Sequence, residues 1–288
     1  MDYFIHLGIL FAIYVILGAG LNLLVGYTGL LSVTHAAFYG IGAYTTAILL
    51  TQTGFGFFSS VILGIFVTMI TAFLVGIVLS KFKDDYYALA SLGFNIIVFS
   101  AFLNWQDLTK GPLGIPGISR PELFGFSFSS NISYFVLAIL FAGLIYFISK
   151  FIINSSFGRV LKAIREDEKA IQVFGYNTQF YKLAIFVISA GMASVAGSLF
   201  ASYITFIDPS SFYIIESIFI LTIIIIGGLA NMRGVLLGAL FLILLPEALR
   251  FVGFPSDIAA QMRQVVYGLI LVLLMLYRPK GFLGEYDL

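Results

Sequence analysis

The stretch NSSFGRVLKAIREDEKAIQVFGYNTQFYK, Asn154 to Lys182, is a charged island between two long apolar segments. Val160, Ala163, Ile164, Ala170, Ile171 and Phe174 fall on one arc of a helical wheel about 120° wide, while Lys162, Arg165, Glu166, Lys169 and Gln172 face away. Asp167 is the exception, a charge inside the apolar arc. Ser155 and Ser156 are suited to cap the start of this helix, and Gly175 to stop it after Phe174. In an otherwise apolar chain such an island reads as a docking surface.

Outward from the island the chain is made for lipid. Hydrophobic residues make up 60% and charged residues 10%, with a mean hydropathy of +1.06. Soluble domains carry about 25% charged residues, so this is an integral membrane protein. A hydrocarbon core about 30 Å thick needs about 20 apolar residues per helix. Spans are expected near 4–25, 31–50, 59–79, 86–104, 132–152, 182–205, 214–230, 234–252 and 264–277. That makes about nine, with eight to ten admitted, because the segments at 214 and 264 are short and the one at 31 is interrupted by glycine. The fold expected is an all-α polytopic membrane bundle forming a single domain over 1–288. Residues 1–153 form its first helical half, 154–181 a cytoplasmic segment and 182–288 its second half. The first segment lacks a basic leader region and a small-residue cleavage site, so it reads as a retained helix.

Charge distribution sets the expected orientation. Basic residues gather on the cytoplasmic side. With the island inside, eleven of the fifteen Lys and Arg residues are cytoplasmic, leaving Lys110, Arg120, Arg250 and Arg263 outside. The N-terminus then lies outside and the C-terminus inside. These basic residues follow topology and form no groove for nucleic acid. Gln106 to Ser130, with Gly111, Pro112, Gly114, Pro116, Gly117 and Pro121, reads as a structured external loop, either a plain connection or a vestibule or partner-docking surface.

Several chemistries are excluded. The chain has no cysteine, hence no disulfide or thiolate nucleophile, and no GxxxxGK[ST], HExxH or GxSxG motif. If ATP drives this protein, another chain binds it. The spans are nearly clear of charge: Glu216 lies at the start of its segment, and Glu247 and Arg250 lie three apart near an external end. This argues against a proton-driven carrier and against a membrane enzyme. Ala190, Ser194, Ser198 and Ser202, with Ala193, Gly197 and Ala201 beside them, form small-residue ridges, and Gly234 and Gly238 form a GxxxG pair. Such ridges let helices approach closely, within one subunit or across a dimer seam. Gly29-Leu30 followed by a Gly-rich helix is echoed by Gly228-Leu229 followed by Gly238, the pattern of two facing repeats.

GYTGLLSVTHAAFYGIGAYTTAILL (Gly26 to Leu50) and FGRVLKAIREDEKAIQVFGYN (Phe157 to Asn177) closely resemble the permeases of branched-chain amino acid ABC importers, specifically their M-type subunit. IDPSSF (Ile207 to Phe212), IIGGLANMRGVLLGAL (Ile225 to Leu240) and LLPEALR (Leu244 to Arg250) extend the resemblance over nearly the whole chain. Val33-Thr34 before the histidine and the polar Asn231-Met232-Arg233 depart from the commoner pattern. The resemblance implies a non-catalytic subunit in the prokaryotic plasma membrane. It would work with a second homologous permease, two ATPase subunits holding ATP and Mg, and an external binding protein. The island would be the helix coupled to the ATPase, through Gly158, Arg159, Arg165, Glu166, Asp167, Glu168 and Gly175. Asn22, Ser32, Thr34, His35 and Asn95 are candidates for the substrate pathway, or else interhelical glue. The segment Gly26 to Leu50 is expected to border that pathway, with a break near Gly26 to Ser32. Urea or short-chain amide importers share these motifs, and a passive channel is the rival from another class.

Overall fold

Long apolar runs become helices in lipid because the backbone finds no hydrogen-bond partner there but itself. A computed structural model describes residues 2–82, 84–123, 126–250, 265, 266, 268, 269, 272, 273, 276, 277, 280–284 and 286. The ten helices of the described residues are α1 (Asp2–Leu21), α2 (His35–Ile48), α3 (Phe57–Leu79), α4 (Asp84–Asn104), α5 (Gln106–Thr109), α6 (Asn131–Asn154), α7 (Ser156–Val173), α8 (Thr178–Ile204), α9 (Ile214–Gly227) and α10 (Met232–Arg250). α1 and α2 run on into π-helical turns at Asn22–Gly26 and Leu49–Thr53.

α1 with its extension, α3, α4, α6 and α8 are each long and apolar enough to cross a membrane. The segments expected at 214–230 and 234–252 are instead two arms of one pair, bent by 120°. The segment expected at 31–50 is a 14-residue helix that starts only after an irregular stretch at 29–34. Most of its residues are buried against protein, so it is not held to the length that lipid demands. The span expected at 264–277 falls largely outside the described residues, as do Lys83, Arg263, Arg278 and the side chain of Arg250.

Burial sorts the helices into a centre and a rim. In α1 and α8, 78% and 72% of the apolar window is buried, against 28% in α3, α4 and α6. The rim helices turn Phe66, Phe73 and Leu74 of α3 and Leu140, Phe147 and Phe151 of α6 outward. α2 lies against α8 backbone to backbone. A Cβ on Gly197 would stand 2.0 Å from the Tyr39 carbonyl oxygen and 2.7 Å from the Ala43 nitrogen. Thr46 and Ser198 share a hydroxyl hydrogen bond of 2.7 Å across this seam. The small-residue ridges of α8 are therefore spent on packing inside the chain, and its two halves interleave. The GxxxG pair is spent likewise at the α9–α10 corner. Cβ atoms on Gly234 and Gly238 would stand 2.4 Å and 2.0 Å from the carbonyl oxygens of Gly227 and Ile223.

The two ends of the bundle are distinct. At one end His6 Nδ1 and Tyr203 Oη are 2.7 Å apart. Here β1 (Ile115–Pro116) pairs antiparallel with β4 (Phe206–Ile207), and β2 (Glu122–Leu123) forms a hairpin with β3 (Phe126–Ser127). The N-terminus, the 106–130 loop and the α8–α9 connection thus share a face. At the other end lie α7, the turn after α1, the α9–α10 corner and residues 280–284 and 286. Phe282 N donates to Ile226 O at 2.9 Å, and Leu283 N to Gly227 O at 3.0 Å. Gly29 and Gly228 both have positive φ, +74° and +108°, so the sequence echo marks two turns on this same face.

Candidate functional site

α7 begins as the sequence requires. Ser155 caps it, its Oγ accepting from Gly158 N at 3.3 Å, and Gly158 has no room for a side chain because a Cβ would lie 2.2 Å from Ile153 O. The helix then breaks at Asp167, whose φ of −153° and ψ of 97° are not helical. Asp167 Oδ1 accepts from Ala170 N at 3.0 Å and so caps a second short helix. The acid inside the apolar arc is a new helix start, and the expected single arc does not persist past it. Leu161 and Ile164 are buried at 1% and 4%, whereas Val173 and Phe174 are 87% and 78% exposed. Gly175 has φ +86° and ends the helix as expected.

The charges of α7 are not all turned to solvent. Arg165 is half-buried, and its Nη1 donates to the carbonyls of Val25, at 2.9 Å, and of Gly26. A cation there meets the carbonyls at the end of α1 and its π-helical turn, where the helix dipole is negative. The Tyr286 ring lies under the guanidinium at 4.4 Å, and Tyr286 Oη donates to Glu166 Oε1 at 3.2 Å. Desolvation lowers the Arg165 pKa from its ordinary value, and Tyr286 opposes that shift. Lys162 lies over Tyr27, 5.4 Å from the ring centre. Glu168 accepts from Lys182 Nζ at 2.5 Å and from Thr178 Oγ1 at 2.9 Å. Arg159 is exposed.

Between α7 and the break lies a cavity of about 710 Å³. Gly29 and Leu31 line it from the break, Tyr87 from α4, Arg165 and Lys169 from α7, and Phe186 from α8. Helix α7 therefore grips the break that walls the cavity.

Above the break, the candidate pathway residues split into two groups. Ser32, Thr34, His35 and Asn95 are buried to within 1% of complete and gather where α2 begins. Ser32 Oγ and Thr34 Oγ1 are 2.9 Å apart. Asn95 Nδ2 donates to Val33 O at 3.0 Å and to Ser217 Oγ at 2.8 Å, while Ser217 Oγ also accepts from Ala36 N at 2.9 Å. Ser91 Oγ accepts from Val33 N at 3.0 Å. The starts of α2 and α9 thus meet at one polar junction, against the middle of α4. His35 Nδ1 and Nε2 and Asn95 Oδ1 are buried there without hydrogen-bond partners. Asn22 serves elsewhere: its Oδ1 accepts from Ala230 N at 3.0 Å and joins the two turns. Sequence reasoning missed Ser91 and Ser217. The only signal for Ser217 is its place beside Glu216 in IIESIFILTIIII.

The family model described as branched-chain amino acid transport system / permease component matches residues 3–275. The high-affinity branched-chain amino acid transport system permease protein LivM of Salmonella typhimurium is 35% identical over 94% of this chain and 68% of its own length. LivM of Escherichia coli K12 matches to the same extent. The permease protein LivH of Escherichia coli K12 is 26% identical over 94% of this chain and 91% of its own. No solved structure matches the chain.

Proposed function

The chain belongs to the family of permease components of branched-chain amino acid transport systems, and we propose that it is one of two permeases lining the pathway of an ATP-driven importer of those amino acids. It is a multi-pass membrane protein. In this reading the partner is a second permease like LivH, the cargo arrives from an external binding protein, and ATP and Mg belong to two separate ATPase subunits, with no cofactor in this chain. The face carrying α7 and residues 280–284 and 286 is cytoplasmic and the N-terminal face external, following the partition of basic residues, in a prokaryotic plasma membrane.

The observation that carries the reading is the Arg165 contact with the Val25 and Gly26 carbonyls. The exposed Val173 and Phe174, with Arg159, Glu166 and Gly175 nearby, offer the ATPase a surface. Arg165 then passes its displacement to the turn after α1, and so to the break that walls the cavity. Asp167 and Glu168 hold the two parts of α7 at a fixed angle, one as a cap and the other through Lys182 and Thr178. With the break moved, the cavity and the junction at Ser32, Thr34, His35 and Asn95 open or close as a gate.

The test is transport in proteoliposomes holding this chain with its partner permease and ATPases. Uptake of leucine should need both ATP and the binding protein. Equal uptake without ATP would make the chain a passive channel, and uptake of urea in place of leucine would reassign its cargo.

A further inference from the structure

We infer that the Glu216 carboxylate receives the ammonium group of the zwitterionic cargo midway through the bundle, an inference that rests on the amino acid reading above. Sequence position puts Glu216 at the edge of a membrane segment, but the fold puts it deep. The α8–α9 connection dips back into the bundle before α9 starts, so that Phe212 packs on Tyr39 and Tyr44 of α2, with ring centres 5.1 Å and 5.8 Å away. Glu216 Oε1 then accepts from Oη of Tyr14 at 2.8 Å, a residue at the middle of the α1 span Asp2–Gly26. Its neighbour Ser217 is bound to Asn95, at the middle of α4. A carboxylic acid at such depth is costly to keep and marks a functional position.

What surrounds it is short of donors. Oε1 has the Tyr14 hydroxyl, Oε2 has no hydrogen bond, and no basic side chain pairs with Glu216 among the described residues. Glu216 stays partly exposed. Against the next residue of α9, Ser217, Asn95 of α4 has spent both amide hydrogens, on Val33 O and Ser217 Oγ, which fixes its orientation and leaves Oδ1 fully buried without a donor. Two acceptor atoms, Glu216 Oε2 and Asn95 Oδ1, thus flank the first turn of α9 without a donor among the described residues. An ammonium group carries three N–H donors and a positive charge on one small atom. The group that is lacking here is the one an amino acid brings.

In proteoliposomes holding the complete complex with its binding protein, Glu216→Gln is expected to lower leucine uptake at least tenfold, while ATP hydrolysis stimulated by the loaded binding protein stays within twofold of the parent. Uptake reduced by less than tenfold overturns the inference. So does parallel loss of uptake and hydrolysis in an assembled complex, which would make Glu216 a structural residue. If Glu216→Gln does not assemble, Tyr14→Phe decides: freeing the carboxylate should change the KM for uptake at least threefold with hydrolysis unaltered, and an unchanged KM overturns the inference. A parent complex that takes up no leucine, isoleucine or valine refutes the proposed cargo itself. An active parent with an unimpaired variant refutes this inference alone.

Discussion

Replacing Gly197 by alanine tests the seam on which the placement of α2 depends. The added Cβ would stand 2.0 Å from the Tyr39 carbonyl oxygen and 2.7 Å from the Ala43 nitrogen. Non-bonded contact becomes favourable near ~3.5 Å, so the α2 and α8 backbones would have to part by about 1.5 Å. Both neighbours are main chain, and no side-chain rotation can relieve them. Overpacking of this kind costs about 1–3 kcal/mol and sometimes more. Two other helical glycines serve as controls. A Cβ on Gly191 meets only Met69 Cγ at 3.2 Å and Sδ at 3.3 Å, with Ile65 beyond, a flexible side chain that can move. A Cβ on Gly143 meets nothing within 4 Å, and alanine there gains up to about 1 kcal/mol of helix propensity. Unfolding equilibria in mixed SDS and detergent micelles should therefore rank Gly143→Ala above the parent, Gly191→Ala near it and Gly197→Ala well below. If Gly197→Ala is as stable as Gly143→Ala, the backbone contact between α2 and α8 is wrong, and with it the position of the polar junction.

Arg165→Ala removes two charge-assisted hydrogen bonds to carbonyls, each worth about 1.5–3 kcal/mol. Leucine uptake per ATP hydrolysed should fall at least tenfold, and Arg165→Lys, which keeps the charge but loses the planar fork, should restore only part; equal coupling ratios would rule out the tether. Asp167→Ala removes the cap of the second part of α7, a loss of about 1 kcal/mol, so amide exchange over residues 168–173 should speed up about fivefold while residues 158–164 exchange as before. Because the chain has no cysteine, single cysteines at the exposed Ser119 and Ser156 can be labelled in intact cells with an impermeant reagent. Ser119→Cys should react and Ser156→Cys should not, and the reverse pattern would invert the orientation. Thr34→Val removes one side of the Ser32–Thr34 hydroxyl contact with little change in volume. Transport by normally assembled complexes should drop several-fold, and an unchanged rate would leave these two residues structural.

What could be read from the sequence was whatever depends on neighbours along the chain. The caps of α7 at Ser155 and Gly175 act over three or four residues, so spacing revealed them. The misfit of Asp167 was visible as well, but its cause was not, because a helix that breaks and starts again repeats the same residue types on a rotated wheel. Leu161, the most deeply buried residue of α7 at 1% exposure, lies outside the predicted arc for the same reason. Ser32, Thr34, His35 and Asn95 could be singled out as polar residues in apolar segments. That they meet Ser217, 122 positions from Asn95, depends on how α9 re-enters the bundle, and no local pattern records it. Arg165 looked solvent-facing because periodicity cannot show a carbonyl acceptor on another helix. Span counting likewise assumes that every apolar segment faces lipid, and α2 does not.

The corner between α9 and α10 is closed by main-chain contact and fastened by two amide side chains, Asn22 to Ala230 N and Asn231 to Leu283 O. Gly227, Gly234 and Gly238 leave its two arms in backbone contact, and the turn at 280–284 is laid against it through amide hydrogen bonds. Its angle is consequently set by how closely two backbones approach, which an added Cβ at any of these glycines would change. The residues proposed to face the cargo are a different set, on the starts of α2 and α9 and on α4. Shape and selectivity are thus written in separate places in this chain. On that proposal, an engineer who wishes to retune the solute would begin at the polar junction, whose side chains bond one another, and leave the corner as a fixed casting, in which an added Cβ meets main chain.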